Sequence, residues 1–598
     1  MSIEEGSAPS GAPAGVLVAL RIAIGLAQGL ALYLLYSAFD AKAWPATDGH
    51  IFAPLALTAC FVPLILIQGA GNLRAATLVL WALAAACIIA ALAWYDIWRA
   101  WPVEYGLVNG AYGPGPKILP SSGLAFFLAA GLFIAHALIS GGDAERKFMA
   151  SYPTHFDVAW KMGVQAALAV CFVGAFWLVL WLGAALFDLI KLDFFRTLIE
   201  HRWFAIPATA LATAASLHVS DVRAGLVRGV RTLALALLSW LLPLMALIAA
   251  GFLVGLVFTG FAPLWATRHA SQLLLVAAAV LVVLVNAAYQ DGRAERRASA
   301  FFGLAIRLGS LLLVPIVAIA AYAIWLRVRQ YGWTSDRIVA SACATVAACY
   351  AAGYALNAFA ASGRLIETWN FVTALLVLAV LGALFSPLAD PARISVASQL
   401  AQLASGKIAQ DKFDLSYLRW QGERFGREAL LRLAKDRPAL RGRIAALMSA
   451  ASPYGLATAS AEKVASGIRV WPKGAVLPQG FVASAQKTSA GKYWLPLYCL
   501  DYDNSCDAIL LDFDGDGVDE VLLGAGANRA IFHKDADGQW RGVATLATAM
   551  NCEQIEAALR SGKVKWIAPQ TPRWRAIDLG VMTLAPDPYP SVIQTCPK

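Results

Sequence analysis

Long apolar runs separated by short polar loops fill residues 1–388, whereas residues 389–598 show the mixed pattern of a soluble protein. A helix that crosses a bilayer needs about 20 mostly apolar residues. The chain has eleven candidate segments of this kind, at 16–38, 51–69, 74–94, 122–140, 162–187, 203–217, 232–258, 271–289, 301–325, 338–360 and 368–388. Segment 203–217 is short and rich in alanine, so a broken or re-entrant helix is the alternative there. The pattern predicts a mainly α fold, a polytopic α-helical membrane bundle.

The polar part of the chain has two patterns of its own. Residues 389–450 place apolar positions at three- and four-residue spacing, which is typical of helices. Residues 451–598 alternate short strand-like runs with turns, among them the hairpin turn KDADGQW at 534–540, and include one helix-like stretch at 551–561. We therefore expect a transmembrane helical domain at 1–388, a helical juxtamembrane segment at 389–450 and a small α+β domain at 451–598.

The composition of the chain strengthens the membrane assignment. Hydrophobic residues make up 59% of the chain and charged residues 14%, against about 45–50% and about 25% in soluble globular proteins. Lipid must solvate part of this surplus. The net charge of +10 is spread without a dense Lys/Arg tract, so we expect contacts with membrane lipids and none with nucleic acid. The first residues, MSIEEGSAPSGAPAG, lack a basic leader, so the first apolar segment is expected to remain as an anchor.

Three stretches carry a resemblance to a known family: PARISVASQLAQLASGKIAQDKFDLSYLRW, RFGREALLRLA and LVVLVNAAYQDG. Over roughly residues 15–445 the chain resembles a family of bacterial polytopic inner-membrane proteins known as domain of unknown function forty-one fifty-three. The resemblance implies a location in the bacterial inner membrane and a topology of many helices. It implies no reaction and transfers no catalytic residue.

The orientation in this membrane is predicted from loops and cysteines. Lys and Arg divide almost equally between the two sets of loops, but they cluster more densely on the side of the N-terminus, and such clusters favour the cytoplasm. We expect a cytoplasmic N-terminus and a periplasmic C-terminal domain. An even set of cysteines favours the same side, because disulfides persist in the periplasm: Cys499, Cys506, Cys552 and Cys596. The expected disulfides are 499–506 and 552–596, and four free thiols are the alternative.

The most specific motif is LLDFDGDGVDEVLLG at Leu510–Gly524. Counted from Asp512, carboxylates fall at positions one, three and five, and a glycine follows at position six. Alternate side chains on such a tight loop can converge on one hard cation such as calcium. An EF-hand needs a glutamate at position twelve, where this chain has Leu523. The loop is therefore not an EF-hand.

The loop instead resembles the calcium loop of the integrin-type FG-GAP repeat, D-x-D-x-D-G-x-x-D/E followed by a strand. The resemblance implies that Asp519 points away and that calcium is bound by Asp512, Asp514, Asp516, the Val518 carbonyl and Glu520. A propeller needs about four or more blades, so a single repeat is expected to act as a structural staple of the C-terminal domain. The alternative is a solvated turn between two strands without a metal.

Few ionisable side chains fall within the apolar segments, and each is a candidate for function because charge is costly in lipid. Arg21 and Arg307 lie near segment ends, where they can snorkel to the surface. His136 lies deeper in its segment. It is expected to act as a ligand or proton relay, and the alternative is a core histidine with a satisfied hydrogen bond. Three asparagines are expected to form hydrogen bonds between helices: Asn286, Asn357 and Asn370.

The sequence does not assign a reaction. It has no Walker A loop, no dinucleotide fingerprint and no HExxH or GxSxG motif. The leading hypothesis is a non-enzymatic envelope scaffold or receptor-like subunit, with membrane lipids and an envelope protein as candidate partners. A transporter or channel is the first alternative. The second is a membrane-embedded transferase that uses a lipid-linked substrate, with Asp40, Asp48 or Asp96 of the outer rim as its acid. Oligomeric state is left open.

Overall fold

The computed structural model describes residues 14–100, 106–108, 111–113, 117–267, 269–292, 300–360, 364–449, 461–489, 498–501, 506–525, 528–547, 559–561, 577–578 and 583–584. The chain divides into two compact units, Met1–Arg441 and Gly442–Lys598. The first unit is mainly helical, and it includes most of the predicted helical juxtamembrane segment 389–450. The predicted fold class, a mainly α polytopic protein with a small α+β domain, is confirmed.

Ten helices of the described chain are long and apolar enough to cross a membrane. They are α1 (Ala14–Asp40), α2 (Gly49–Gly69), α3 (Ala75–Ala100), α4 (Ser122–Glu145), α5 (Tyr152–Leu189), α8 (Ala224–Thr259), α10 (Ala270–Tyr289), α11 (Ala300–Tyr331), α12 (Ser335–Phe359) and α13 (Leu365–Leu384). The other helices of this unit are α6 (Phe194–Glu200), α7 (Arg202–Val222), α9 (Ala262–Ala266), α14 (Pro391–Ala404), α15 (Leu415–Trp420), α16 (Glu423–Asp436) and a 3-10 turn at Pro438–Leu440, and α17 (Arg441–Ser449) follows at the boundary. Two strands, β1 (Gly106–Val108) and β2 (Ala111–Gly113), pair antiparallel.

Helix α7 contains the alanine-rich segment 203–217 that was predicted from the sequence. The helix is continuous rather than broken. It runs antiparallel to α1, because Arg202 lies over the Tyr36 ring at one end (5.9 Å) and Asp221 pairs with Arg21 at the other (2.6 Å). The part of α1 between Tyr36 and Arg21 rises about 22 Å, so α7 runs beside slightly more than half of the length of α1. Its buried positions are mostly alanine and serine, which permit close contact between helices and lower the apolar content of the segment.

Helices α14–α16 lie at one end of the bundle, which we call the cap face. Asp390 caps the N-terminus of α14 and accepts a hydrogen bond from the Tyr95 hydroxyl near the end of α3 (3.0 Å). The opposite end, the N-terminal face, holds the start of α1, where Arg21 donates to the carbonyl of Ala70 shortly before α3 begins (2.6 Å). Because α3 runs from one face to the other, the start of α1 and the helices α14–α16 lie at opposite ends of the bundle.

The second unit contains a five-stranded sheet in the order β3-β4-β5-β6-β7, in which β3 is parallel to β4 and the other neighbours are antiparallel. The strands are β3 (Arg469–Trp471), β4 (Asp507–Leu511), β5 (Glu520–Ala525), β6 (Asn528–Lys534) and β7 (Trp540–Ala547), with a separate antiparallel pair β8 (Ile577–Asp578) and β9 (Thr583–Leu584). The helices are α18 (Ala461–Gly467), α19 (Phe481–Ser489) and α20 (Tyr498–Asp501). In the core, the ring of Phe481 in α19 makes edge-to-face contacts with the rings of Phe532 and Trp540 in the sheet.

Two local predictions for this unit are confirmed. Cys499 and Cys506 form a disulfide with a Cα–Cα distance of 5.8 Å, and KDADGQW forms the turn between β6 and β7. The predicted pair 552–596 lies outside the described residues. So does the predicted helix at 551–561, apart from its last three residues, 559–561, which are helical.

Candidate functional site

Three polar side chains from three membrane helices form a closed ring of hydrogen bonds, the triad Asn286–Tyr354–Asn370. Asn286 Nδ2 donates to Tyr354 Oη (2.6 Å), Tyr354 Oη donates to Asn370 Oδ1 (2.7 Å), and Asn370 Nδ2 donates to Asn286 Oδ1 (2.6 Å). Paired polar groups hold helices together in lipid, so the triad fixes α10, α12 and α13 against one another. The prediction is confirmed for Asn286 and Asn370. The buried Oδ1 of Asn357 has no hydrogen bond within the described residues.

A cavity of about 400 Å³ lies beside the triad among α4, α5, α10, α12 and α13, and we call it the triad cavity. Polar side chains line it near the N-terminal face, where α5 and α13 begin and α10 ends: Tyr152, His155, Asn286, Glu367 and Asn370. Aromatic and aliphatic side chains make up most of the remaining wall, including Phe133, Met149, Phe156, Trp160, Tyr350 and Phe371. The cavity therefore has a polar end and an apolar body.

Further hydrogen bonds connect the polar end of this cavity to the stretch LVVLVNAAYQDG. Asn370 Nδ2 also donates to the Tyr152 hydroxyl (3.3 Å), and the Tyr289 hydroxyl donates to Glu367 Oε1 (2.9 Å). Gly292 has a φ of +74°, and a Cβ at this position would lie 2.7 Å from Glu367 Oε1. Glycine therefore leaves room for the carboxylate. The stretch that carries the family resemblance contributes Asn286, Tyr289 and Gly292 to one site.

The predicted metal loop, which we call the aspartate loop, connects β4 and β5. Asp512 accepts hydrogen bonds from the backbone N–H groups of Gly515 (2.6 Å) and Gly517 (3.1 Å), both of which have positive φ. Asp514 and Asp516 each accept from the N–H two residues further on. These bonds turn the three aspartates inward, and oxygen atoms of Asp512, Asp514 and Asp516 lie within 4.8 Å of one another. Such a set of carboxylate oxygens suits a hard cation.

The other predicted ligands take different places. Val518 and Asp519 are exposed at the end of the loop. Glu520 is buried at the start of β5, where it accepts from the N–H of Phe513 (2.8 Å) and lies 3.0 Å from His533 Nδ1. Glu520, Asp514 and His533 form a second group of three possible metal ligands, whose ligand atoms lie within 4.8 Å of one another. The hydrogen bond to Glu520 raises the pKa of His533 above its usual value. We did not predict His533 from the sequence; it follows Phe532, the partner of Val521 in the pairing of β5 with β6.

The family model described as Domain of unknown function (DUF4153) matches residues 52–435. The chain belongs to the DUF4153 family. The resemblance drawn from the sequence is thus confirmed, and the protein is a multi-pass membrane protein. The matched segment contains the triad cavity and helices α14–α16, whereas the aspartate loop lies outside it, so the FG-GAP resemblance of that loop stays a prediction. No curated protein and no solved structure matches the chain.

Other polar residues of this DUF4153 protein have structural partners. His136 Nδ1 accepts a hydrogen bond from Trp81 Nε1 (2.9 Å), so His136 is a core histidine with a satisfied hydrogen bond. Arg21, expected to reach the surface, is only 1% exposed because it pairs with Asp221 of α7. Asp48 caps the N-terminus of α2 through the N–H of His50 (2.8 Å).

Asp96, a candidate acid of the transferase hypothesis, is buried near the cap face. It accepts hydrogen bonds from Arg99 (3.0 Å), from Lys117 (3.0 Å) and from both the N–H and the hydroxyl of Ser121. Its carboxylate thus has four donor groups around it. This arrangement joins α3 to the start of α4, which is a structural role.

Proposed function

We propose that this DUF4153 protein is a receptor-like subunit of the bacterial inner membrane whose membrane domain binds an amphipathic molecule in the triad cavity. One observation carries the proposal. Hydrogen-bonding side chains line the cavity near the N-terminal face, and aromatic or aliphatic side chains line most of the rest. Pockets with this division bind the polar group of a ligand at one end and cover its apolar body elsewhere.

The polar end has hydrogen-bonding capacity left for a ligand. The Tyr152 hydroxyl accepts from Asn370, and its own proton has no acceptor within the described residues. Glu367 accepts from Tyr289 through Oε1, and Oε2 makes no hydrogen bond to a described residue. Glu367 lies on α13, which the triad holds in place, and Tyr152 of α5 is bonded to the triad residue Asn370. The site is therefore organised before a ligand enters. Such preorganisation reduces the entropy that binding costs.

Native mass spectrometry of the full-length protein, released from a mild detergent, tests the proposal. We expect the wild-type protein to carry a co-purified amphiphile, and Ala374→Phe to lose it about tenfold, because Ala374 lines the cavity and a phenyl ring would fill it. A tenfold loss corresponds to about 1.4 kcal/mol. Ala379→Phe is the matched control, since Ala379 lies on the exposed side of the same helix.

Equal occupancy in wild type, Ala374→Phe and Ala379→Phe would contradict a ligand in this cavity and favour the scaffold hypothesis. Reconstituted vesicles separate binding from transport. A receptor-like subunit retains the amphiphile, whereas a transporter moves it across the vesicle membrane at a rate that Ala374→Phe would lower.

We further propose that calcium binds the aspartate loop and stabilises the C-terminal domain. The ligands would be Asp512, Asp514, Asp516, the Val518 carbonyl and Glu520. Glu520 would bind the ion once its hydrogen bond with His533 is broken. The converging oxygens of the three aspartates support the ion. A periplasmic location of this domain is part of the same proposal, because weak calcium sites and disulfides such as Cys499–Cys506 are both typical of extracytoplasmic compartments.

A further inference from the structure

Glu367 brings a negative charge to the polar end of the triad cavity. It lies in the first turn of α13 and accepts one hydrogen bond, from Tyr289 (2.9 Å). The positive end of the helix dipole offsets part of its charge. Within the described residues, no Lys or Arg lies in the wall of the cavity, and the other titratable side chains there are His155, Tyr152 and Tyr350. No Lys or Arg in the described wall of the cavity therefore balances the charge of Glu367.

Aromatic rings surround the same end of the cavity. The Tyr152 ring contacts that of Tyr289 at an interplanar angle of 63° (ring centroids 5.9 Å) and that of Phe156 (6.1 Å). Phe156 in turn contacts Trp160 (6.1 Å). Tyr350 adds a further ring to the wall. The faces of such rings attract cations, and cages of several rings with a carboxylate recognise ammonium groups.

We propose that the ligand of the triad cavity is an amphiphile with an ammonium head group, which Glu367 and the rings of Tyr152 and Tyr350 hold. The inference rests on the proposed function and names its ligand class. The alkyl chain of the ligand extends from this head along Phe133 and Ala374. A neutral head would leave the charge of Glu367 without a cation among the described residues, and the same charge repels an anionic head.

The test uses three amphiphiles that share one chain and differ in head charge: decyltrimethylammonium, decyl alcohol and decanoate. Calorimetry measures their binding to the full-length protein in nanodiscs, and empty nanodiscs give the background of bilayer partitioning. We expect the cation to bind at least about tenfold more tightly than the alcohol, and decanoate to bind more weakly than the alcohol, because a hydrogen-bonded charge pair is stronger than a neutral contact.

Glu367→Gln should remove this preference. Its affinity for the cation should fall about tenfold, to that of the alcohol, while its affinity for the alcohol stays the same. Asp157→Asn is the matched control, because Asp157 lies on α5 outside the cavity and pairs with Arg231 (2.7 Å). Should Glu367→Gln fail to fold, the ratio of cation to alcohol affinity in the wild-type protein decides by itself.

The outcomes separate this inference from the proposed function. Equal binding of cation and alcohol, with loss of both in Ala374→Phe, would overturn the ammonium assignment and leave the amphiphile site standing. An unchanged preference in Glu367→Gln would also overturn it. Failure of all three amphiphiles to bind the wild-type protein would overturn both proposals.

Discussion

A proline in α2 determines the role of a glutamine in α1. Pro63 has no N–H, so the carbonyl of Ala59 loses its helical hydrogen-bond donor. Gln28 supplies a donor in its place, because its Nε2 lies 3.3 Å from the Ala59 oxygen and 2.9 Å from that of Cys60. Gln28 is only 6% exposed. Where lipid offers no hydrogen bonds, one side chain thus satisfies the carbonyl that a proline in the neighbouring helix leaves free.

Gln28→Leu should lower the free energy of unfolding by about 1–3 kcal/mol, because it leaves the Ala59 carbonyl buried without a donor. Thermal unfolding of the purified protein measures the loss. The loss should shrink in a Pro63→Ala background, where the N–H of residue 63 can again bond to Ala59. If both backgrounds lose the same stability, Gln28 contributes by packing and this explanation is wrong.

Helix α7 packs closely against α1, and it is not one of the ten helices whose length and apolar composition alone indicate a membrane crossing. Its alanine-rich face meets glycines of α1, and a Cβ on Gly25 or Gly29 would lie 2.5 Å from Ala214 Cβ or Pro207 Cα, respectively. Backbones that approach this closely exclude lipid from the contact. The segment therefore needs fewer large apolar residues than a helix that faces lipid.

Gly29→Ala should lower the free energy of unfolding by about 1–3 kcal/mol, because the added methyl overlaps the backbone of Pro207 and forces α1 and α7 apart. Thermal unfolding in detergent measures the change. Gly15→Ala is the matched control in the same helix, since a Cβ there meets no atom within 4 Å. Similar unfolding of Gly29→Ala and Gly15→Ala would rule out the close contact.

The aspartate loop is an element whose proposed ion has a stability consequence. Calcium at about 100 times its dissociation constant should stabilise the folded domain by about 2.7 kcal/mol. Differential scanning calorimetry with calcium or with a chelator measures the shift, and Asp514→Asn should abolish it. Asp537→Asn in the β6–β7 turn is the control that keeps it. The same melting temperature with calcium and with chelator would exclude a structural calcium site.

The limits of sequence prediction follow from which interactions are local. The apolar segments, the hairpin turn and the 499–506 disulfide were predictable because each depends on neighbouring residues. Asn286 and Asn370 were predictable because asparagine is unusual in an apolar segment. Tyr152 and Glu367 were not, since polar residues are ordinary at segment ends. The partner of Arg21, Asp221, lies 200 residues away, and only the packing of α1 against α7 brings the two together.

The number of membrane crossings determines which parts of the chain share a compartment. Helix α7 runs antiparallel to α1 over about 22 Å, so we expect it to add an eleventh crossing to the ten more apolar helices. An odd number of crossings agrees with the contacts that separate the start of α1 from helices α14–α16. The chain then leaves the bundle on the side opposite its start.

Cysteine labelling with a membrane-impermeant maleimide tests this topology in intact cells. Arg146→Cys reports the N-terminal face and Lys412→Cys the cap face, since both positions are exposed. We expect labelling of Lys412→Cys and none of Arg146→Cys above the wild-type background, because the cap face is proposed to be periplasmic. Labelling of both or of neither would contradict eleven crossings. The reverse pattern would keep the crossings and contradict the orientation.

In the membrane domain, the triad and the stretch LVVLVNAAYQDG meet at one cavity, which we propose to be a ligand site. Electron cryomicroscopy of the full-length protein in lipid nanodiscs tests it most directly. We expect elongated density in the triad cavity, with its thicker end beside Glu367 and Tyr152, and we expect Ala374→Phe to lack this density. A wild-type cavity that is collapsed, or that holds only isolated water peaks, would contradict the account.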